Sequence, residues 1–314
     1  MTNLANDQPE PFAGRGEDDD FRSELFRAGL LIQTTVAGLY GHSATYEEIK
    51  QGIRKRVGTY AREIGATKVT FPPLIPRATL ERSGYLNSFP DLIGSVHVFC
   101  GDEHSHRDLL HRTATGGDWQ ELLEPAAVTL CSAACHPVYP LCSGQLPEAG
   151  RCFEINNFCF RHEPSDDPAR MQAFELHELV YVGSEQEACA FRDRTFERGL
   201  DELYALRLDA AAMPANDPFF GRGGQLLAAT QRADSLKLEA LVPINSAKQP
   251  TAVLSANYHR DHFGRDFGIE SFAGEVAHSA CIGFGVDRIT LALLRAHGLE
   301  PQHWPAAVRH HLWS

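Results

Sequence analysis

An α+β domain in which antiparallel strands are flanked by helices is what this sequence predicts, and three observations carry the expectation. Between Pro125 and Gly183, short β-like runs are broken by Gly, Pro and Asp, the punctuation of strands joined by turns. Stretches with apolar residues at helical spacing lie on both sides of that region. No internal repeat or low-complexity linker divides the 314 residues, a length that builds one large domain or two modest ones. Strands and helices segregated in this way within one unit make α+β the class.

The elements follow in order. Residues 1–20 are polar, acidic and without apolar periodicity, so a mobile tail is expected, with the fold starting near Phe21. The tail has no signal-peptide core, and no apolar run reaches the roughly 20 residues that span a bilayer, which makes the cytosol the expected compartment and a membrane partner unexpected. Thr45 and Glu48 read as a capping box, and Tyr46, Ile49, Ile53, Val57, Tyr60 and Ile64 follow at steps of three and four, predicting an amphipathic helix that ends near Gly65. In "KVTFPPLIPRATLERSGYL", Pro72, Pro73 and Pro76 predict extended chain before a second helix. "FRDRTFERGLDELYALRL" has helical spacing. "DPFFGRGGQLLAATQRADSLKLEALVPI" reads as a Gly-marked entry, a helix and a strand, with "TAVLSANYH" as another strand. "GVDRITLALLRAHG" closes the pattern as a helix stopped by Gly298.

Composition narrows the function classes. With 43% hydrophobic residues the chain can bury a substantial core, and a formal charge of −12 argues against a broad nucleic-acid footprint, which needs clustered Lys and Arg. Eight cysteines, about 2.5% of the chain, fall far below the roughly 8–10% of a disulfide scaffold. Reduced thiols or metal ligands are the expectation.

Charged residues stand where buried strands would want apolar ones in "NFCFRHEPSDDPARMQAFELHELVYVG", residues 157–183. On an alternating strand Arg161 and Glu163 point to one face, as a surface ion pair or as part of an anion site. Arg288 follows the glycine-rich "GFGVD" at a helix start, where free amides and the helix dipole favour anions, although a solvated arginine fits there equally well. Read alone, Phe174 suits plain core, Cys281 a small buried hydrophobe and Glu178 the partner of a nearby histidine. Neither "CSAACH" nor "DEHSHRDLLH" has a paired metal-ligand spacing. Arg222, Arg232 and Lys237 fall on the helix expected near 218–238, as a solvated face or as a basic strip for an acidic partner.

Together, "FRHE" with "RMQAF" and "GFGVDR" resemble motifs 2 and 3 of the class II aminoacyl-tRNA synthetases, and "FPPLIPRATLERSGYL" looks like motif 1, all in the family's chain order. The similarity covers roughly residues 20 to 300, extends to the catalytic core of zinc-dependent seryl-tRNA synthetases, and is tipped by "AACHPVYP", "FCFRHEPSDDPARMQAF", "NDPFFGR" and "NYHRDHFG" toward the amino acid–carrier-protein ligases. The resemblance implies a class II synthetase-like antiparallel sheet and a homodimer formed through the motif 1 segment. It implies activation of a small amino acid, glycine or alanine, as an aminoacyl-adenylate with ATP and Mg2+, then transfer to the phosphopantetheine thiol of a carrier protein. By motif position, Arg161 would contact the α-phosphate and Arg288 the γ-phosphate, Glu163 would accept from the adenine amino group, and Phe174 would stack on the ring. Arg170 is a further phosphate candidate, and Glu239 is assigned to magnesium.

The same resemblance draws Zn2+ ligands from three distant places, Cys135, Glu178 and Cys281. Three protein ligands leave an open coordination position. Glu175 competes with Glu178 for that role, but a step of three residues would put the two on opposite strand faces. "LHELVYVG" departs from the ligases, with His177 and Tyr181 where basic residues are expected. Only some 45 residues precede the first good helix, leaving no space for the tRNA-binding region of seryl-tRNA synthetases, so tRNA is not the expected acceptor. A truncated synthetase and a non-catalytic amino acid or adenylate sensor remain the alternatives. Two phosphate-facing arginines speak against the sensor, since sensing requires no stabilisation of transition-state charge.

Overall fold

In the computed structural model the chain is described over residues 19–217, 219–220, 235–246 and 248–314. β1 (Leu31–Gln33) and β2 (Tyr40–His42) pair ahead of the Ala44–Glu63 helix. β3 (Thr67–Val69) joins the main sheet, whereas β4 (Leu74–Pro76), β5 (Ser95–Phe99) and β6 (Leu123–Leu130) form a three-stranded sheet in the order β4-β6-β5. β7 (Gly144–Gln145) pairs in parallel with β13 (Ile269–Glu270). β8 (Arg151–Phe160), β9 (Ala173–Gly183), β10 (Ala211–Ala215), β11 (Lys237–Val242), β12 (Thr251–Arg260) and β14 (His278–Gly285) complete the main sheet. Its order is β10-β11-β12-β14-β9-β8-β3, antiparallel throughout except where β3 runs parallel to β8 at the edge. The predicted α+β architecture is the one observed.

Alternation along the strands sends two cores to the two faces. Leu179, Ala240, Leu254 and Ile282 pack under the helices Ala44–Glu63, Glu185–Ala205 and Val286–His297, against Ile49, Ile53, Phe196 and Leu291. Ile155, Val180, Val182 and Cys281 face the other way, against Val138, Tyr139, Phe263 and Phe267. Fully buried side chains such as Leu179 and Ile282 are each worth about 2–5 kcal/mol against alanine.

Several local expectations need correction. The 44–63 helix is capped by Ser43, whose hydroxyl accepts the Tyr46 N–H at 3.2 Å, so Thr45 and Glu48 lie inside the first turns. The cap falls there because Ser43 has extended backbone. β8 ends at Phe160, so Arg161 and Glu163 are not strand residues: the His162 N–H leaves the ladder for the Leu92 carbonyl, and alternation stops before Glu163. Residues 1–18 of the expected tail lie outside the described residues, and Asp19 and Asp20 belong to the Asp19–Arg27 helix. Most of the helix expected near 218–238, with Arg222 and Arg232, also lies outside them. Lys237 does not continue that helix. It stands on β11, buried, with its ammonium 2.5 Å from Asp217 and 2.9 Å from Glu239. Two carboxylates outweigh the burial and hold its pKa above the ordinary lysine value, so it is a paired interior cation rather than part of an exposed strip.

Candidate active site

The sheet face opposite the long helices holds the candidate metal donors. Glu178 on β9 stands opposite Gly283 on β14, and Cys281 is two residues before that glycine, on the same face and diagonal to Glu178. A Cβ at Gly283 would make only an ordinary van der Waals contact, 3.5 Å, with the Glu178 Cγ. Cys135 completes the group from the start of the His136–Cys142 turn of 3-10 helix. The three donor atoms lie within 4.8 Å of one another and all three residues are buried, the arrangement that the motif positions predicted.

Burial and crowding of three acidic groups set the electrostatics here. Burial, reinforced by the Cys281 sulfur, pushes the Glu178 carboxyl up to about 8. Its Oε2 is buried without a hydrogen-bond partner, a costly state for a carboxylate oxygen unless something charged sits against it. The Cys135–Cys281 contact holds the Cys281 thiol well below its ordinary range, with help from His259, and drives Cys135 up. His259 Nε2 is 3.5 Å and Asn257 Nδ2 3.8 Å from the Cys281 sulfur, and His259 Nδ1 is in turn 3.1 Å from the Ser279 hydroxyl. Two thiols and a carboxyl with polar groups behind them suit a borderline-soft divalent ion such as zinc.

Arg161 lies beside this group, close enough for its charge to act on the Glu178 carboxyl. Arg161 donates from Nε to the Ser132 carbonyl at 3.2 Å, and its guanidinium lies 5.4 Å from the centre of the Phe174 ring. Arg288, three residues past Gly285 at the helix start, donates to the carbonyls of Ala169 and Ala252, each at 2.9 Å. Burial, then the neighbouring charges of Arg161 and Arg170, depress the Arg288 pKa, so three guanidinium groups share one site. A helix N-terminus with guanidinium groups near it is an environment that favours an anion. Arg170, the most exposed of the three, reaches the Glu163 carboxylate at 2.8 Å.

Register places Glu239 relative to this site. Glu178, Gly283, Ser255 and Glu239 are successive partners across β9, β14, β12 and β11, so the two carboxylates end one rung of the sheet, three strand spacings or about 14 Å apart. Lys237, on the same face as Glu239, already neutralises it at 2.9 Å. His177 and Tyr181 project to the other face, where His177 meets Glu154 at 3.0 Å and the Tyr181 hydroxyl donates to the Ala149 carbonyl, leaving the three donors undisturbed. Glu175 also turns away, to Lys50 and Arg54. Sequence reasoning missed Asn257 and His259, which sit within the quoted "NYHRDHFG"; only pairing of β12 with β14 reveals that they meet Cys281. It also missed Lys50 and Asp287, whose charges gave no periodic signal.

No family model matches the chain. Amino acid–[acyl-carrier-protein] ligase 2 of Bradyrhizobium diazoefficiens is 45% identical over 274 residues, which cover 87% of this chain and 82% of that protein. Ligase 1 of the same organism is 42% identical over an equal stretch, with 84% of its length covered. The type-2 serine–tRNA ligase of Methanopyrus kandleri is 25% identical over 320 residues, and the match spans 59% of it. Among solved structures, M. kandleri seryl-tRNA synthetase in complex with tRNASec superposes with a TM-score of 0.80 at 23% identity, covering 98% of this chain and 62% of that one. Seryl-tRNA synthetase from Pyrococcus horikoshii complexed with ATP gives 0.67 at 14% identity. These structures establish a class II synthetase catalytic fold, and the two Bradyrhizobium relatives, similar over most of both chains, place this protein in the family of amino acid–[acyl-carrier-protein] ligases.

Proposed function

We propose that this ligase activates a small amino acid, glycine or alanine, with ATP and passes the aminoacyl group to the phosphopantetheine thiol of a carrier protein, working as a homodimer. The observation that carries the reading is the buried donor set of Cys135, Glu178 and Cys281 with Arg161 beside it, its guanidinium against the Phe174 ring and its charge acting on the Glu178 carboxyl. In the first step a carboxylate oxygen of the amino acid attacks the α-phosphorus, the bond to pyrophosphate breaks, and negative charge grows on the phosphate oxygens. Arg161 meets that charge at the α-phosphate, with Arg288 and Arg170 on the departing phosphates, as fixed groups that need no reorganisation. Phe174 stacks on the adenine ring and Glu163 accepts from its amino group, exchanging the Arg170 contact for the nucleotide. In the second step the carrier thiol attacks the carbonyl carbon and AMP leaves.

Cys135, Glu178 and Cys281 would hold a zinc ion, which would supply a Lewis acid to orient the α-amino group of the amino acid. Small side chains are favoured because Tyr139 and Phe263, stacked at 3.8 Å and buried with Cys135 and Cys281 in one apolar cluster, fill the space beside the donors. Glu239 would hold Mg2+ in exchange for its contact with Lys237. Arg222 and Arg232 remain the proposed contacts for an acidic carrier. The enzyme works in the cytoplasm; separately, among the described residues no helix is long and apolar enough to cross a membrane.

Transfer is tested with radiolabelled glycine and alanine, ATP and a panel of phosphopantetheinylated carriers. Label should appear on a carrier, be released by hydroxylamine as a thioester is, and fail to form on carrier lacking the prosthetic arm. Charge reversal at Arg222 or Arg232 should impair loading while amino-acid-dependent pyrophosphate exchange persists. Efficient charging of bulk tRNA with no thioester on any carrier would refute the proposal.

A further inference from the structure

We infer that Lys50, buried on the helix side of the sheet, is a positioning residue for adenylation: its ammonium fixes the two backbone points from which Arg288 and Phe174 project into the nucleotide site. The inference rests on the reading of that site given above.

Lys50 has 0% exposure, rare for a lysine, and lies on the Ala44–Glu63 helix. Its ammonium is 2.9 Å from Glu175, 3.1 Å from Asp287 and 3.2 Å from Glu47. Glu175 immediately follows Phe174, and Asp287 immediately precedes Arg288. A direct bond joins the two points, since the Glu175 backbone N–H donates to Asp287 Oδ2 at 2.6 Å. Thus the start of the Val286–His297 helix is tied to β9 beneath the site, and the tie depends on a buried carboxylate.

The neighbours show what Lys50 does there. Glu175 has other partners, Arg54 at 2.9 Å and the Asn156 amide at 2.6 Å. Asp287 Oδ1 is buried and lies 3.1 Å from the Lys50 ammonium, with the His42 ring at 3.8 Å and the Tyr46 hydroxyl 3.3 Å from the Asp287 carbonyl. Lys50 is therefore the principal counter-charge of Asp287. Burial would lift the Glu175 carboxyl, but Lys50 leads the groups that hold it below its usual range. Burying such a cluster yields little net stability against an apolar replacement, which leaves geometry as its use.

The test compares Lys50→Met, Asp287→Asn, the double variant and Arg288→Ala in pyrophosphate exchange, together with metal content. Lys50→Met should weaken ATP kinetics, in KM or kcat, roughly 10- to 100-fold, the scale of a small misplacement of reacting groups. Its KM for the amino acid and its metal content should stay at wild-type values, because the donor set lies on the opposite face. Adding Asp287→Asn should restore most of the loss, since the amide oxygen still accepts the Glu175 N–H while Arg54 balances Glu175. Wild-type ATP kinetics in folded Lys50→Met, equal damage to the amino acid and metal sites, or a loss that Asp287→Asn does not relieve overturns the inference. Should Lys50→Met fail to fold, the double variant decides: ATP kinetics within a few fold of wild type support the role, and a tenfold loss refutes it. Wild-type exchange by Arg288→Ala would instead overturn the reading of the nucleotide site itself, whereas an impaired Arg288→Ala beside an unimpaired Lys50→Met defeats this inference alone.

Discussion

Glu175 and Glu178 stand three residues apart on β9 and serve opposite faces of the sheet. Glu175 closes a buried ion cluster with Lys50 and Arg54, while Glu178 lies within 4.8 Å of two cysteine sulfurs. One strand thus supports the helix layer with one carboxylate and joins the two cysteines on the opposite face with the other.

That division makes the metal site testable ligand by ligand. Alanine in place of Cys135, Glu178 or Cys281 should remove bound metal and amino acid activation together, because a two-ligand remainder holds the ion poorly. Elemental analysis of Cys281→Ala decides it, and full zinc occupancy in that variant would exclude the assignment.

Arg161 and Arg288 should each be needed for chemistry rather than for folding. Alanine at either position should slow pyrophosphate exchange by about 100-fold or more, the scale of removing one preorganised electrostatic group. Exchange by Arg161→Ala at the wild-type rate would show that motif 2 has been misread.

A pH dependence follows from Glu202, which joins the helix layer through Arg56 at 3.0 Å and His311 at 2.7 Å. Burial raises its pKa, but the Arg56 and His311 hydrogen bonds outweigh that and leave it below the ordinary carboxylate value. A depressed folded pKa gives stability that is present above the unfolded pKa and is lost as pH falls through the folded one. Glu202→Gln should therefore cost roughly 1–2 kcal/mol at neutral pH, as expected for hydrogen bonds to a charged group. Denaturant melts should show that gap closing below about pH 4, and a gap that persists unchanged in acid would contradict the account.

Local chemistry was legible in the sequence wherever it depended on spacing. The 44–63 helix, the Gly298 stop and the strand runs around Cys159 and Glu178 follow from periodicity and turn residues, and the meeting of Cys135, Glu178 and Cys281 from the family's motifs. Contacts between strands were not legible. Nothing in "NYHRDHFG" says that Asn257 and His259 meet Cys281, because partner and register belong to the sheet as a whole. Lys237 was misplaced for a related reason. A basic residue after a helical run reads as more helix, and the carboxylates that tolerate it in a strand, Asp217 and Glu239, declare themselves only in three dimensions. Lys50 was hidden in the same way, its apolar neighbours at helical spacing predicting a buried face but not the acids that share it.

The two-faced use of β9 bears on how this fold can diverge. Deleting or inserting one residue between Phe174 and Glu178 would turn part of the strand over, carrying a carboxylate out of the ion cluster or out of the donor set. A lineage could change the side chains of this strand one at a time, but it could not change the strand's length without losing one layer or the other. Length variation is therefore expected to collect in the loop between Phe160 and Ala173, outside the ladder, and an alignment of such ligases should run through β9 without a gap.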